Sequence, residues 1–149
     1  MTMFDAFLIA YIVVSAVAVV AYMPRLVGFC YAFKKPPYKQ AAEKRKIGII
    51  VPARDESAVI GDLFASIARQ DYDGDFDVNV IVKDANDPTI LLAEAIGAKV
   101  FVVPDQTCKG DALDGFFKAL TPEQMESYDA FVIVDADGVL SPSYVRELN

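Results

Sequence analysis

The sequence has only two cysteines, Cys30 and Cys108, far apart in unlike surroundings. No metal-ligand spacing links them, and a cytoplasmic domain would keep both as thiols. Lys and Arg are missing from the opening Met-Thr-Met-Phe-Asp, so the basic start of a secretory signal peptide is lacking. Charge of either sign is missing from the 18 residues Ala6 to Met23, where only Tyr11, Ser15 and Tyr22 break the apolar run. An uncharged stretch of that length argues against a buried helix in a soluble core. As a helix it would be about 27 Å long, close to the roughly 30 Å hydrocarbon core of a bilayer. Pro24 and Arg25 interrupt the run, and a second apolar stretch, Leu26 to Phe33, either lengthens or kinks the helix. An uncleaved anchor over residues 4–33 is therefore expected. Internal repeats and low-complexity segments are also absent.

What is present is unevenly charged. Asp5 is the only charged residue before the apolar run, whereas Arg25, Lys34, Lys35, Lys39, Lys44, Arg45 and Lys46 come after it. The positive-inside bias places that side, together with the rest of the chain, in the cytoplasm of a single-pass membrane protein. The segment 34–46, with Pro36-Pro37, reads as a basic linker, either lying on anionic headgroups or simply solvated. From Ile47 onward 7 basic residues face 19 acidic ones, a net of −12. A domain this acidic is a poor nucleic-acid binder and suits cations better, although an acidic surface also serves solubility.

The pattern then alternates. Ile47 to Ala53 is a continuous apolar run, as in a buried parallel strand. Ser57 to Gln70 reads as a helix, with Val59, Ile60, Leu63, Phe64 and Ile67 on one face. Phe76 to Lys83 is a second strand, Thr89 to Ile96 a short helix capped by Gly97, and Lys99 to Val103 a third strand. Gly110 to Leu120 is a helix, Ala130 to Val134 a fourth strand, and Ser141-Pro142 an N-cap and first helical position. Strands alternating with helices imply an α/β fold, a mainly parallel sheet with flanking helices. Ligands bind such sheets at the carboxyl ends of the strands.

The residues at those ends carry the chemistry. Asp135-Ala136-Asp137 puts two carboxylates just after Phe131-Val132-Ile133-Val134. Oxygen ligands of this kind suit Mg²⁺ or Mn²⁺, and such a cation would neutralise a diphosphate leaving group. Turn chemistry after a strand gives the same residues. Asp84 could accept from a base or a ribose, or form an Asx-turn; Asp87 before Pro88-Thr89 reads as a helix cap. Glu56 opens a helix and either caps it or meets a ligand. Arg54 pairs with a phosphate or with Asp55. Lys109-Gly110, before a helix, is a diphosphate contact or a solvated turn lysine.

Taken in order, these segments resemble the family 2 glycosyltransferases of GT-A fold, in their membrane-bound form. Ile50-Val51-Pro52-Ala53-Arg54-Asp55-Glu56 is similar to the family's opening strand and loop. Gln70-Asp71-Tyr72, Asp84 to Thr89, Gly97-Ala98-Lys99-Val100, Lys109-Gly110-Asp111-Ala112-Leu113 and Tyr128 through Asp137 come next in the family's order, the last carrying a D-x-D motif. The resemblance spans Ile47 to Leu148. It implies a Rossmann-like nucleotide-sugar-binding part over residues 47–149, with Pro52, Ala53, Arg54, Glu56 and Asp84 near the nucleotide, Lys109 near the donor, and Asp135 and Asp137 on a metal. The implied donor is a nucleotide-diphosphate sugar such as a UDP-sugar. The implied acceptor is a glycan, lipid or polymer of the kind found in cell-envelope polysaccharide.

Two departures stand out. The loop Asp84 to Thr89 is one residue shorter than the family's common form, and Lys83 replaces a small or acidic residue. The family's general base lies downstream of the D-x-D motif, so no catalytic base is assigned. The chain reads as truncated after that motif, inactive alone, or completed by a second polypeptide. Two other readings are a membrane-anchored, non-catalytic nucleotide- or metal-binding module and a sugar-phosphate nucleotidyltransferase. The latter would carry a Gly-rich first loop, whereas Pro52 to Glu56 has no glycine.

Overall fold

A computed structural model of the chain describes residues 2–33 and 41–149. Lys34, Lys35, Pro36, Pro37 and Lys39 of the expected linker lie outside the described residues. The chain forms two compact units, residues 1–39 and 40–149.

Among its described residues the first unit forms one helix, α1 (Met3–Ala32), of 30 residues. Thr2 and Asp5 close a reciprocal capping box: the Asp5 N–H donates to Thr2 Oγ1 at 3.3 Å and the Thr2 N–H to Asp5 Oδ2 at 2.7 Å. Pro24 does not end the helix; a proline removes one ladder bond, which an otherwise apolar segment survives. The second apolar stretch therefore lengthens the first, to about 45 Å at about 1.5 Å per residue. None of its residues is buried, and the helix is long and apolar enough to cross a bilayer.

The second unit has the order β1 (Ile47–Pro52), α2 (Ile60–Ile67), β2 (Phe76–Val82), α3 (Thr89–Ala95), β3 (Lys99–Val102), α4 (Lys109–Ala119), α5 (Pro122–Glu126), β4 (Ala130–Ile133) and α6 (Tyr144–Leu148). The strands pair in parallel in the order β3-β2-β1-β4. Side chains alternate across the sheet. Ile47, Ile49 and Val51 of β1 and Val78, Val80 and Val82 of β2 point to the α2 side, with Ile60, Leu63, Phe64 and Ile67. Ile50 and Ile81 point to the other side and meet Ala112 and Phe116 of α4. Helices thus cover both faces, as parallel strands require. On the α4 side Phe116 packs edge-on against Phe101, Phe117 and Phe131. Gly48 faces this cluster because a Cβ there would lie 2.5 Å from Phe131.

Several elements differ from the sequence expectation. Helix α2 starts at Ile60, not Ser57; residues 57–59 form a turn in which the Glu56 carbonyl accepts from the Val59 and Ile60 N–H groups. Glu56 therefore precedes the helix and does not open it. Helix α6 begins at Tyr144, with Ser143 at its N-cap; the Pro142 carbonyl instead accepts from the Asp71 N–H at 2.7 Å. Helix α5 was not expected, though Thr121-Pro122 with Gln124 forms a capping box. Gly97 caps α3 as expected: its φ is +74°, and Ala98 N–H to Ala93 O with Gly97 N–H to Glu94 O completes a Schellman motif. Gln70 holds the closing segment in place, its amide donating to Ser141 O at 2.8 Å and accepting from the Val145 N–H at 3.0 Å.

Candidate functional site

The site arises from the connectivity. From β1 the chain moves to β2 and β3, and α4 then returns it to β4 on the other side of β1. A reversal of this kind leaves a crevice beyond the carboxyl ends of the two strands that flank it. Pro52 widens it. The last β4–β1 bond runs from the Val134 N–H to Ile50 O at 2.9 Å. The next would need an N–H on Pro52, which proline lacks. On the β2 side, pairing continues through the Ala53 N–H to Ile81 O at 2.8 Å. Strands β1 and β4 thus part at Pro52, over a cleft of about 390 Å³.

Three segments wall the cleft: Pro52, Ala53, Arg54 and Glu56 after β1; Gln106, Cys108 and Lys109 at the start of α4; and Asp135, Ala136 and Asp137 after β4. Strand β4 ends at Ile133 and the last segment turns, yet its exposure alternates. Val134 and Ala136 are buried in the core, whereas Asp135 and Asp137 are exposed. Both carboxylates of the D-x-D motif therefore face the same cleft, and the Gly138 N–H closes the turn onto Asp135 O at 3.0 Å.

Lys109 pairs with Asp135 across the cleft. Its position is fixed by a cap. The Asp111 carboxylate accepts from the Thr107 hydroxyl, from the Thr107 N–H at 2.8 Å and from the Cys108 N–H at 3.1 Å. These bonds, the Thr107 hydroxyl foremost, hold the Asp111 carboxyl down at about 2. Lys109 is the first residue of α4, with Cys108 at the N-cap.

The residues expected around the nucleotide fall into two neighbouring hollows. Pro52, Ala53, Glu56, Lys109 and Asp135 share the cleft. Asp84 lines a second hollow of about 510 Å³ with Asp55, Lys83, Ala85, Asp87, Val102 and Pro104, and Arg54 lines both. Asp84 makes the Asx-turn bond, accepting from the Asn86 N–H at 2.8 Å. Asp87 caps α3, accepting from the Thr89 N–H at 2.8 Å, and also accepts from the Asp55 N–H at 3.3 Å. Asp55 has a φ of 58°, the left-handed region that non-glycine residues seldom enter. Asp87 thus ties the loop after β2 to the one that presents Arg54. Arg54 has no hydrogen-bond or ion-pair partner among the described residues. Gln106 and Cys108 were not expected in the wall. Gln106 is an uncharged residue whose burial only the tertiary structure reveals.

Chemically, the cleft offers three carboxylates, Glu56, Asp135 and Asp137, against two cations, Arg54 and Lys109. Among the described residues no group of three or more His, Cys, Asp or Glu side chains surrounds a cation position. Asp135, in an ion pair with Lys109, and Asp137 bring two hard carboxylates to the cleft. That fits Mg²⁺ or Mn²⁺, which take one or two carboxylates and fill their remaining positions with water and phosphate oxygens.

Residues 44–149 match the family model described as "Glycosyltransferase like family 2". The chain belongs to that family. Solved structures similar in fold include glycosyltransferases of the GT-A type. Residues 1–349 of TarS from S. aureus align at 22% identity and TM-score 0.55, over 65% of this chain and 29% of that one. Glucosyl-3-phosphoglycerate synthase from Mycobacterium tuberculosis, solved with Mn²⁺, UDP and glucosyl-3-phosphoglycerate, aligns at 26% identity and TM-score 0.51, over 70% and 39%. Mannosyl-3-phosphoglycerate synthase from Rubrobacter xylanophilus aligns at 19% identity and TM-score 0.52, over 66% and 33%. The chain thus spans well under half the length of each of these structures. No curated protein matches it.

Proposed function

We propose that the β1–β4 cleft binds a nucleoside-diphosphate sugar together with Mg²⁺ or Mn²⁺, as the donor site of a glycosyltransferase. The observation that carries this reading is the exposure of Asp135 and Asp137 on either side of buried Ala136, in one cleft with Lys109. Asp135 and Asp137 would hold the cation, which would neutralise charge on the diphosphate as it leaves. Lys109 and Arg54 are the cations of the cleft and take the phosphate oxygens. Pro52, Ala53 and Glu56 border the nucleoside, and Asp84, in the adjoining hollow, accepts from its ribose hydroxyls or base N–H groups. The Mn²⁺ and UDP bound to the mycobacterial synthase support this choice of ligands.

The acceptor is a glycan, lipid or polymer. Helix α1 anchors the chain in a membrane, and the basic residues beyond Met23 favour a cytoplasmic donor domain. We assign no general base among the described residues, since a carboxylate pair committed to a cation serves poorly as one. The test is titration calorimetry on the whole chain in detergent, with UDP in Mn²⁺ and in chelator. Binding in Mn²⁺ that falls at least about tenfold in chelator is expected from loss of the phosphate counter-charge. Equal affinity in both would overturn the metal-assisted reading.

A further inference from the structure

Gln106 is 5% exposed, and its side-chain Nε2 is buried with no hydrogen-bond partner among the described residues. It lines the cleft that holds Lys109, Asp135 and Asp137. Its backbone is fixed at both ends of the residue: the Gln106 N–H donates to Val103 O at 3.4 Å, and Lys83 Nζ donates to Gln106 O at 3.1 Å. A buried amide donor left without an acceptor is destabilising, and native proteins rarely keep one without a role. The bond from Lys83 places Gln106 next to the end of β2, where Asp84 begins the next loop. Gln106 therefore sits in the wall of the β1–β4 cleft, bonded to Lys83, which lines the second hollow. A neutral amide carries one donor and one acceptor side by side. That pattern complements a nucleobase edge with a carbonyl next to an N–H, in the way Asn and Gln pair with base edges elsewhere.

We propose that Gln106 is a specificity-determining residue whose side-chain amide hydrogen-bonds the base edge of the nucleotide, a base with adjacent carbonyl and N–H groups such as uracil. This rests on the donor-site reading above. The orphaned Nε2 is then satisfied only when nucleotide is bound, and a base lacking the matching pair leaves a buried polar group unpaired, which is a strong basis for discrimination.

The test uses Gln106→Leu in the full chain in detergent, with Mn²⁺ present. UDP, ADP and inorganic pyrophosphate are the probes, and thermal unfolding without ligand is the control. Three results are expected. The variant unfolds at or above the wild-type temperature, because an unsatisfied amide has been removed. Its affinity for UDP falls roughly tenfold or more, on the scale of one lost buried hydrogen bond. Its affinity for pyrophosphate is unchanged, so the wild-type preference for UDP over ADP narrows. Unchanged UDP affinity would overturn the proposal. So would a parallel loss for pyrophosphate, or an unaltered UDP-to-ADP ratio, since each removes the base contact. If Gln106→Leu does not fold, Gln106→Met, which keeps the length and the neutral charge and loses the amide, is read in the same way. Failure of the wild-type chain to bind either nucleotide would instead sink the donor-site reading itself.

Discussion

Asp87→Ala is the sharpest test of how the cleft is held in shape. Asp87 is 6% exposed and accepts from the Thr89 N–H at 2.8 Å and the Asp55 N–H at 3.3 Å. A hydrogen bond to a charged acceptor contributes about 1.5–3 kcal/mol, and loss of a helix cap costs about 0.5–2 kcal/mol. The Thr89 bond counts in both figures and the longer Asp55 bond adds less, so the expected loss is about 2–4 kcal/mol. With a urea slope of about 1–3 kcal/mol per molar, the unfolding midpoint should fall by about 1–2 M. Asp87→Asn keeps one acceptor oxygen and should lie between. Burial pushes the Asp87 carboxyl up, but hydrogen bonding to Thr89 and the Asp55 N–H outweighs it and leaves the group below the usual carboxylate range. Its stabilisation is therefore complete above the unfolded carboxylate range and lost as pH falls through the lowered folded value. The gap between wild type and variant should close in acid. With the left-handed Asp55 released, Arg54 loses its placement and UDP affinity should fall several-fold. A loss below about 1 kcal/mol at neutral pH would refute the reasoning, since that is less than one charged hydrogen bond.

Gly48→Ala should destabilise the donor domain by about 1–3 kcal/mol in urea unfolding, because its Cβ would sit 2.5 Å from Phe131 within a packed aromatic cluster. Asp111→Asn should unfold at a lower temperature than wild type at pH 7. The difference should fade as pH falls through about 2, where the folded-state Asp111 carboxyl takes its proton. Protease added to intact cells should leave the donor domain uncut, as expected of a cytoplasmic location, whereas digestion from outside would reverse the assigned topology.

The elements buried on two faces were readable because their composition leaves little choice. Ile47 to Val51 is uniformly apolar, and all five residues except Gly48 belong to the two cores. In the D-x-D segment two acids directly after an apolar strand were legible, whereas the turn that the Gly138 N–H closes on Asp135 O, and the cleft both acids line, were not. Features that depend on distant partners were not readable. The start of α2 is delayed because Asp55 adopts a left-handed turn braced by Asp87, 32 residues on. Asp84 falls in a second hollow with Lys83 and Asp87, a separation that only the tertiary structure reveals. Gln106 looks like any loop residue until Val103 and Lys83 fix its backbone in the cleft wall and leave its amide without a partner among the described residues.

The central claim is that Asp135 and Asp137 hold a cation against a diphosphate in the β1–β4 cleft. A crystal structure of the chain with UDP and Mn²⁺ tests it most directly, using the anomalous signal of manganese to place the ion. The account predicts manganese on both carboxylates, the diphosphate between it and Lys109, and the base toward Gln106 and Asp84. Nucleotide bound elsewhere, or bound in this cleft with no manganese on either aspartate, would contradict it.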